Sequence, residues 1–382
     1  MTENKIFRIG PIRPPSEASS LLLQMTRGCT WNKCKFCQLY RGTQFKAYTV
    51  DSIKADIDKV AVYAQKAGEC HQKDGTWNVD QLNDQLSQMG GEEQNCYYMV
   101  INWLMDGGET VFLQDGNTVV LSGGKLSEVL LYLRQVFPGI KRISSYGRAE
   151  NLSKVSLEDL IELKEAGLDR IHSGYESGSD KVLQLINKGV TSKEQIVAGQ
   201  KIKAAGIQLS VYFMPGIGGK AFSAENALGM ANVVSQAQPD FVRIRTAAIK
   251  PGTELYNMYR QGEFLLCSDD EKVKEIRSFI ENTTRVDTQV VSDHMINLLQ
   301  GVKGSLRTDR EKMLATIDEY LSMEDKGRKL FQLARRTGQV VNIKEMDRLS
   351  QGKTLQLEQL NASLKSEKQR DEQLNELIGR YI

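Results

Sequence analysis

This sequence has few cysteines outside one short segment. Six occur in 382 residues, and three of them, Cys70, Cys96 and Cys267, are scattered along the chain. Scattered cysteines do not make a disulfide framework, so the pattern is typical of a reducing cytosol. We interpret the scattered three as buried or partly buried thiols rather than as part of a second cluster.

Long hydrophobic runs and an excess of charge are also missing. Because no run of 18 apolar residues and no signal-like N-terminus occurs, we predict a cytoplasmic protein without a membrane span. Lys and Arg number 50 against 48 Asp and Glu, a net charge of +2. This balance gives no affinity for nucleic acid or membranes from charge alone. Apolar residues make up 40% of the chain, enough for a sizeable core.

The other three cysteines, Cys29, Cys34 and Cys37, lie within nine residues at C-x4-C-x2-C spacing. They follow the apolar segment 21–25, which we predict to be a strand. This spacing suits a zinc ion or an iron–sulfur cluster. A four-iron cluster on three thiolates keeps one iron open to a small molecule, whereas zinc would need a fourth ligand such as His71. No second C-x-x-C completes a four-thiolate zinc ribbon, but the triplet by itself leaves both readings open.

Strands and helices alternate after residue 110, which predicts an α/β fold with a parallel sheet. Residues 68–108 are polar and glutamine-rich, and we interpret them as an insertion of mixed structure acting as a lid or surface addition. Residues 290–299 are a candidate helix with Asp293, His294 and Asn297 on one face. We divide the chain into a lead-in (1–18), an α/β domain (19–260) and a helical C-terminal region (261–382). The predicted strands are 21–25, 111–113, 142–146, 169–173, 208–213 and 241–244, and the predicted helices are 50–67, 126–136, 157–166, 181–186, 193–205, 224–237, 271–281, 309–321, 330–337 and 353–382.

Functional loops leave the C-terminal ends of parallel strands. The cysteine loop, residues 115–117, the stretch after Tyr146, residues 174–176 and residues 215–216 all fall at such ends. The sequence therefore predicts that its unusual residues share one site.

Several of these segments resemble the radical S-adenosylmethionine (radical SAM) superfamily. The cysteine loop with Phe36 before its last cysteine is similar to the family's C-x3-C-x2-C loop, with one extra residue. Segment 168–191, LDRIHSGYESGSDKVLQLINKGVT, looks like the fourth-strand region of the Elp3/MiaB/NifB-like and coproporphyrinogen-oxidase-like branches. Segment 205–218 and Pro251-Gly252-Thr253 are similar to later family segments. The resemblance covers about residues 18–260 and implies a partial (β/α)6 TIM-type barrel.

The resemblance implies a [4Fe–4S] cluster on Cys29, Cys34 and Cys37, with S-adenosylmethionine chelating the open iron. Asp115 would take the acidic role of the family's Gly-Gly-Glu motif, and Glu176 would lie near the ribose and methionine. Both carboxylates suit a sulfonium cation, and Arg148, Arg243 or Arg245 could donate a pair of hydrogen bonds to the methionine carboxylate. The residues expected to contact the cofactor are Phe36, Gln114, Asp115, Gly116, Asn117, Ser144, Arg148, Glu176, Pro215, Gly216 and Arg243.

The mechanism implied is one-electron reduction of the sulfonium, followed by hydrogen abstraction by a 5′-deoxyadenosyl radical, with a flavodoxin- or ferredoxin-type electron donor. We expect His172, Arg245 and His294 to act on a small polar substrate. The alternative for His172 is a core histidine, and the alternative for Asp293, His294 and Asn297, which is slightly favoured, is a polar cap on the barrel. A modified nucleoside or nucleobase, as in queuine lyase, is one speculative substrate. The alternatives are an enzyme acting on protein or tRNA and a zinc-stabilised binding protein without catalysis.

Overall fold

The computed structural model describes residues 6–121, 124–284 and 286–380, and the chain divides into two compact units. The first unit comprises Met1–Asn32, Gly42–Ser173 and Lys201–Gln208. The second comprises Lys33–Arg41, Gly174–Gln200 and Leu209–Ile382. The chain therefore passes from one unit to the other inside the cysteine loop, between Asn32 and Lys33.

The first unit is built on parallel strands in the order β1-β4-β5-β6. Thr110–Gln114 is buried along almost its whole length, as expected of a strand covered on both faces. The strands are β1 Leu21–Gln24, β2 Thr26–Arg27, β3 Lys46–Ala47, β4 Thr110–Gln114, β5 Arg142–Tyr146 and the first part of β6 Leu168–Glu176. The helices are α1 Val50–Gly68, α2 Val79–Ser87, α3 Gly91–Met105, α4 Lys125–Val136, α5 Ala149–Leu152 and α6 Leu157–Glu165.

Helix α1 shows how local sequence fixes an element. The Thr49 side chain accepts a hydrogen bond from the backbone N–H of Ser52, which caps the helix where the sequence predicted. Ile53, Ile57 and Val60 recur at helical spacing and are buried. This amphipathic pattern turns one face of α1 toward the core of the first unit.

Residues 68–108, predicted as an insertion of mixed structure, contain two helices, and their role as a lid or surface addition stays a prediction. Residues 79–87 and 91–105 form helices α2 and α3. Tyr97 and Trp103 on α3 are buried, the first against Tyr63 at 5.4 Å between ring centres and the second against Phe137 at 5.3 Å. These aromatic side chains stabilise the core of the first unit.

The second unit has parallel strands β7, β8 and β9, with β10 antiparallel to β9. The strands are β7 Gln208–Phe213, β8 Phe241–Ile244, β9 Gln289–Val291 and β10 Gly304–Ser305, together with the end of β6. The helices are α7 Asp180–Leu185, α8 Ser192–Ala204 (which continues into the first unit), α9 Ser223–Ala237, α10 Glu254–Gln261, α11 Asp269–Asn282, α12 Arg310–Leu321, α13 Asp325–Arg336, α14 Gln351–Ser363 and α15 Glu367–Gly379.

The α/β class with a mostly parallel sheet is confirmed, but two predicted elements are wrong. Residues 290–299 do not form a helix: β9 pairs parallel with β8, so one more parallel strand follows the six that were predicted. Residues 353–382 do not form one helix, because α14 ends at Ser363 and Ser366 caps α15. The division at residues 18 and 260 stays a prediction; the second boundary falls one residue before the end of α10.

A buried ion pair fastens α13 to α11 in the second unit. The Arg336 guanidinium lies 2.8 Å from the Asp269 carboxylate, and both side chains are almost fully buried. Burial opposes ionisation of Asp269, but Arg336 and Lys272 lower its pKa, so the carboxylate stays charged. Among the described residues, no helix is long and apolar enough to cross a membrane.

Candidate functional site

The first half of the cysteine loop is fixed within the first unit. Gly28 follows β2 with φ of +89°, a left-handed conformation that glycine adopts without strain. The Asn32 side-chain amide donates to the Thr43 carbonyl at 3.4 Å. The Asn117 side chain, at the end of β4, donates to the Thr30 hydroxyl at 3.2 Å. The segment after β4, which the sequence predicted to share a site with the cysteine loop, thus holds the backbone next to Cys29.

The second half of the loop is fixed within the second unit. The Cys37 N–H donates to the Cys34 carbonyl at 3.2 Å, which closes a short turn. The Arg41 guanidinium donates to the carbonyls of Cys34 and Cys37 at 2.9 and 3.2 Å. The Lys35 N–H donates to the Ile186 carbonyl at 2.8 Å, and Phe36 packs on the apolar core of this unit. Hydrogen bonds to main-chain carbonyls therefore fix the spacing of Cys34 and Cys37.

The chemistry of this donor set fits a cluster with three protein ligands. None of the six cysteines is in a disulfide; Cys34 is buried, and Cys29 and Cys37 are partly exposed. In the described parts of the chain, no three Cys, His, Asp or Glu side chains are already arranged to hold a metal ion. This ligand set therefore stays a prediction. The His71 ring packs edge-on against Trp77, with 4.8 Å between ring centres.

Gln114 and Asp115 at the end of β4 have different environments. The Gln114 side chain accepts from the Gly10 N–H at 2.8 Å and donates to the Ile12 carbonyl at 2.6 Å. Its amide is thus occupied by the lead-in segment, which corrects its assignment to the cofactor. The Asp115 carboxylate is buried and accepts from the Gln24 side chain at 3.3 Å, and Gly116 follows in the turn. Asp115 and Gly116 stay candidates for cofactor contacts.

Asn117 joins three loops of the first unit. Its side-chain oxygen accepts from the Arg148 N–H at 3.1 Å, and its nitrogen donates to Asn151 at 2.6 Å as well as to Thr30. The Arg148 guanidinium lies 5.8 Å from the centre of the Trp31 ring, within range of a cation–π contact. The end of β5 is therefore connected to the cysteine loop. Sequence reasoning missed Trp31, which occupies a variable position of the cysteine motif, and Asn151, which belongs to no recognised motif.

Two residues predicted for the site are buried in the first unit. The Ser144 hydroxyl is fully buried within the sheet and faces the Val111 carbonyl at 3.5 Å. His172 is fully buried, and its Nε2 lies 3.0 Å from the Glu17 carboxylate. Glu17 also contacts Arg142, the first residue of β5, at 3.1 Å. This buried pairing with Glu17 favours the core interpretation of His172, and its substrate role stays a prediction.

Glu176, the last residue of β6, is held in the second unit in a left-handed conformation with φ of +64°. Its carboxylate lies 2.9 Å from the Lys188 ammonium, and both side chains are largely buried. Lys188 also lies 5.8 Å from the centre of the Phe36 ring. This arrangement connects the end of β6 to the segment carrying Cys34 and Cys37. Lys188 was not among the predicted site residues.

The loop after β7 is held by a buried glutamate that the sequence analysis missed. The Gly216 N–H donates to the Glu275 carboxylate at 2.9 Å, and Asn226 donates to the same carboxylate at 2.7 Å. Burial raises the pKa of Glu275 to about 7 against the opposing effect of these hydrogen bonds. The Pro215 carbonyl accepts from the Ala247 N–H at 3.0 Å. Pro215 and Gly216 are thus positioned by α11 and by the segment after β8.

Two further predicted residues are occupied by partners inside the second unit. Arg243 is buried, donates to the Ser210 hydroxyl at 3.2 Å and pairs with Asp293 at 3.1 Å. The Arg243 guanidinium, which was predicted to bind the methionine carboxylate, is therefore already occupied by these two partners. Asn297 is buried and binds the backbone of Ile244 and Thr246 at 2.7 and 2.9 Å. These contacts favour the alternative interpretation of Asn297 as part of a polar cap.

Arg245 and His294 are neighbours beside Tyr212. Burial first, and then the positive charge of Arg245, lower the pKa of His294 to about 4. Burial raises the pKa of Tyr212 to about 12, partly offset by Arg243 and Arg245. His294 and Tyr212 are therefore neutral near pH 7. The structure brings together two of the three residues predicted to act on substrate.

Comparison with known proteins shows which protein family part of the chain matches. Residues 99–228 match the model of the radical SAM superfamily. This segment runs from α3 through α9 and includes the ends of β4, β5, β6 and β7; the cysteine loop precedes it. The predicted resemblance to the radical SAM superfamily is confirmed over this segment. Members of this superfamily use a [4Fe–4S] cluster and S-adenosylmethionine, the two cofactors that the sequence analysis predicted.

The chain is also similar to parts of several known proteins. It is 27% identical over 122 residues to the tRNA uridine(34) acetyltransferase of Methanocaldococcus infernus, covering 32% of this chain and 23% of that protein. It is 21% identical over 168 residues to the heme chaperone HemW of Bacillus subtilis, covering 44% of each. A solved structure of M. infernus Elp3 superposes with a TM-score of 0.41 at 19% identity, over 58% of this chain and 57% of that one. The chain thus spans from about a quarter to under half of these two curated relatives.

Proposed function

We propose that this chain binds a [4Fe–4S] cluster through Cys29, Cys34 and Cys37 and initiates radical chemistry on a small polar substrate. The observation that carries the proposal is the cysteine loop: three cysteines in nine residues, none in a disulfide, lie in a chain that matches the radical SAM superfamily over residues 99–228. When bound, the cluster and S-adenosylmethionine would supply one-electron reduction and hydrogen abstraction. Electrons would come from a flavodoxin- or ferredoxin-type protein.

The residues of the chain hold and orient these groups. Arg41 and the Cys34–Cys37 turn set the spacing of two thiolates through main-chain hydrogen bonds. Asp115 and Glu176 supply negative charge for the cationic cofactor, and Lys188 keeps the Glu176 side chain in place. Buried strand ends exclude water, which protects a carbon radical from solvent.

Anaerobic reconstitution of the full chain with iron and sulfide tests this proposal. We expect about four irons per chain by analogy with a cubane cluster, a visible band that dithionite bleaches, and formation of 5′-deoxyadenosine from S-adenosylmethionine. Arg307→Gln, a change at an exposed ion pair with Asp287, is the control and should behave like wild type. Zinc bound in place of iron would support the zinc-stabilised binding protein and overturn the proposal.

A second candidate function is tRNA modification, favoured by the similarity to tRNA uridine(34) acetyltransferases. The nearly balanced charge of the chain does not by itself favour nucleic acid. No described residue favours a queuine-lyase-like reaction, so a modified nucleoside is one substrate to be assayed among others. Product analysis with bulk tRNA, protein extract and a small-metabolite pool, each incubated with the reconstituted enzyme, separates these candidates.

A further inference from the structure

Arg245 stands apart from the other cations at the strand ends of the second unit. Arg243 is paired with Asp293 at 3.1 Å, and Lys188 is paired with Glu176 at 2.9 Å. Arg245 has no ion pair within the described part of the chain, and its buried Nε has no hydrogen-bond partner there. Buried polar groups in proteins are nearly always hydrogen-bonded, so a guanidinium without a partner needs an explanation.

The two carboxylates that act on Tyr212 together with Arg245 are already paired with other cations. Glu176 is paired with Lys188, and Asp293 with Arg243. His294 and Tyr212 are neutral near pH 7, because burial lowers the pKa of His294 and raises that of Tyr212. Nothing in this group therefore neutralises the Arg245 guanidinium.

The position of Arg245 is rigid and partly accessible. It directly follows β8, which ends at Ile244, and its N–H donates to the Phe213 carbonyl at 2.9 Å. The backbone of Arg245 thus extends the hydrogen bonding between the parallel strands β7 and β8. The side chain is only partly buried, so a ligand can reach it. Functional groups on such strand ends are placed more accurately than those on long loops.

We propose that Arg245 is a specificity residue that binds an anionic oxygen group, a carboxylate or a phosphate, on the substrate. The inference rests on the proposed function, because it takes this anion to belong to the molecule on which the enzyme acts. A guanidinium offers two parallel N–H donors that match a carboxylate or phosphate. Tyr212 and His294 complete the environment as neutral hydrogen-bonding groups.

Arginine-specific modification of the full chain with phenylglyoxal tests the proposal, with peptide mass spectrometry as the readout. We expect Arg245 to react, and phosphate or acetate to protect it at constant ionic strength set with KCl. At ten times its dissociation constant, a bound anion should slow modification about elevenfold, because only the unoccupied fraction reacts. Arg307, exposed and distant in sequence, is the internal reference and should react equally in every buffer.

Protection by phosphate alone would assign a phosphate-bearing substrate, and protection by acetate alone a carboxylate. An Arg245 that does not react, or that neither anion protects more than Arg307, overturns the proposal. Because this readout requires neither cluster nor cofactor, failure of the cluster proposal would leave it interpretable.

A thermal-shift comparison of variants gives a second, independent measurement. Phosphate or acetate should raise the melting temperature of the wild-type chain and of Arg307→Gln equally. The shift should be lost in Arg245→Gln and reduced in Arg245→Lys, which keeps the charge without the fork. An undiminished shift in a folded Arg245→Gln chain would place the anion elsewhere and contradict the proposal.

Discussion

The buried carboxylate of Glu17 should stabilise the first unit in a strongly pH-dependent way. Burial opposes ionisation, but hydrogen bonds from His172 and Ser20 and the charges of His172 and Arg142 outweigh it. The pKa of Glu17 is lowered from 4.5 to about 2. Because the folded pKa lies below the unfolded value, the stabilisation is present above pH 4.5 and is lost as the pH falls toward 2.

The size of this stabilisation follows from the lowering of the Glu17 pKa. A lowering of 2.5 pKa units (4.5 minus 2) corresponds to about 3 kcal/mol at neutral pH, of which roughly half remains at pH 3. Glu17→Gln should therefore lower the free energy of unfolding by about 3 kcal/mol at pH 7 and by clearly less at pH 3. Removing one partner also leaves Arg142 and His172 without their carboxylate, which adds to the loss at neutral pH.

Urea denaturation of the metal-free chain, followed by circular dichroism at pH 7, 5 and 3, measures this difference. Glu128→Gln is the matched control, because the Glu128 side chain is half exposed and its pair with Lys54 should contribute less than about 1 kcal/mol. A Glu17→Gln effect equal to that of the control, or one that does not change with pH, would refute the reasoning.

Three further predictions concern the candidate site. Cys34→Ala should abolish iron binding and cleavage of S-adenosylmethionine while far-UV circular dichroism stays unchanged, and retained cleavage would exclude Cys34 as a ligand. Asp115→Asn and Glu176→Gln should each weaken binding of S-adenosylmethionine in equilibrium dialysis, whereas wild-type affinity in both would disprove their assignment. Burial raises the folded pKa of Glu275 to about 7, so ionisation costs stability as the pH rises from 4.5 through 7. The stability of wild type relative to Glu275→Gln should accordingly fall by about 3 kcal/mol over that range in urea titrations, and a flat difference would contradict the buried-carboxylate explanation.

The sequence by itself determined the class of fold, and it predicted where the chemistry lies. Strands at 142–146, 208–213 and 241–244 were predicted with the bounds that the structure shows, because apolar patterning and flanking turns are local properties. The spacing of Cys29, Cys34 and Cys37 and the family-like segments after the strands likewise lie in short stretches of chain. Local patterns failed at 290–299, where pairing with β8 makes a short strand of residues 289–291 and the helical spacing of Asp293, His294 and Asn297 does not correspond to a helix.

Only the tertiary structure decided which polar side chains are available for function. Gln114 is bound by a segment 104 residues earlier, and His172 by Glu17, 155 residues away in the sequence. Arg243 and Arg245 are two residues apart and indistinguishable by pattern, yet Asp293 neutralises only Arg243. A side chain's availability depends on partners brought together by folding, and the free energy of burying a charge makes those partners decisive.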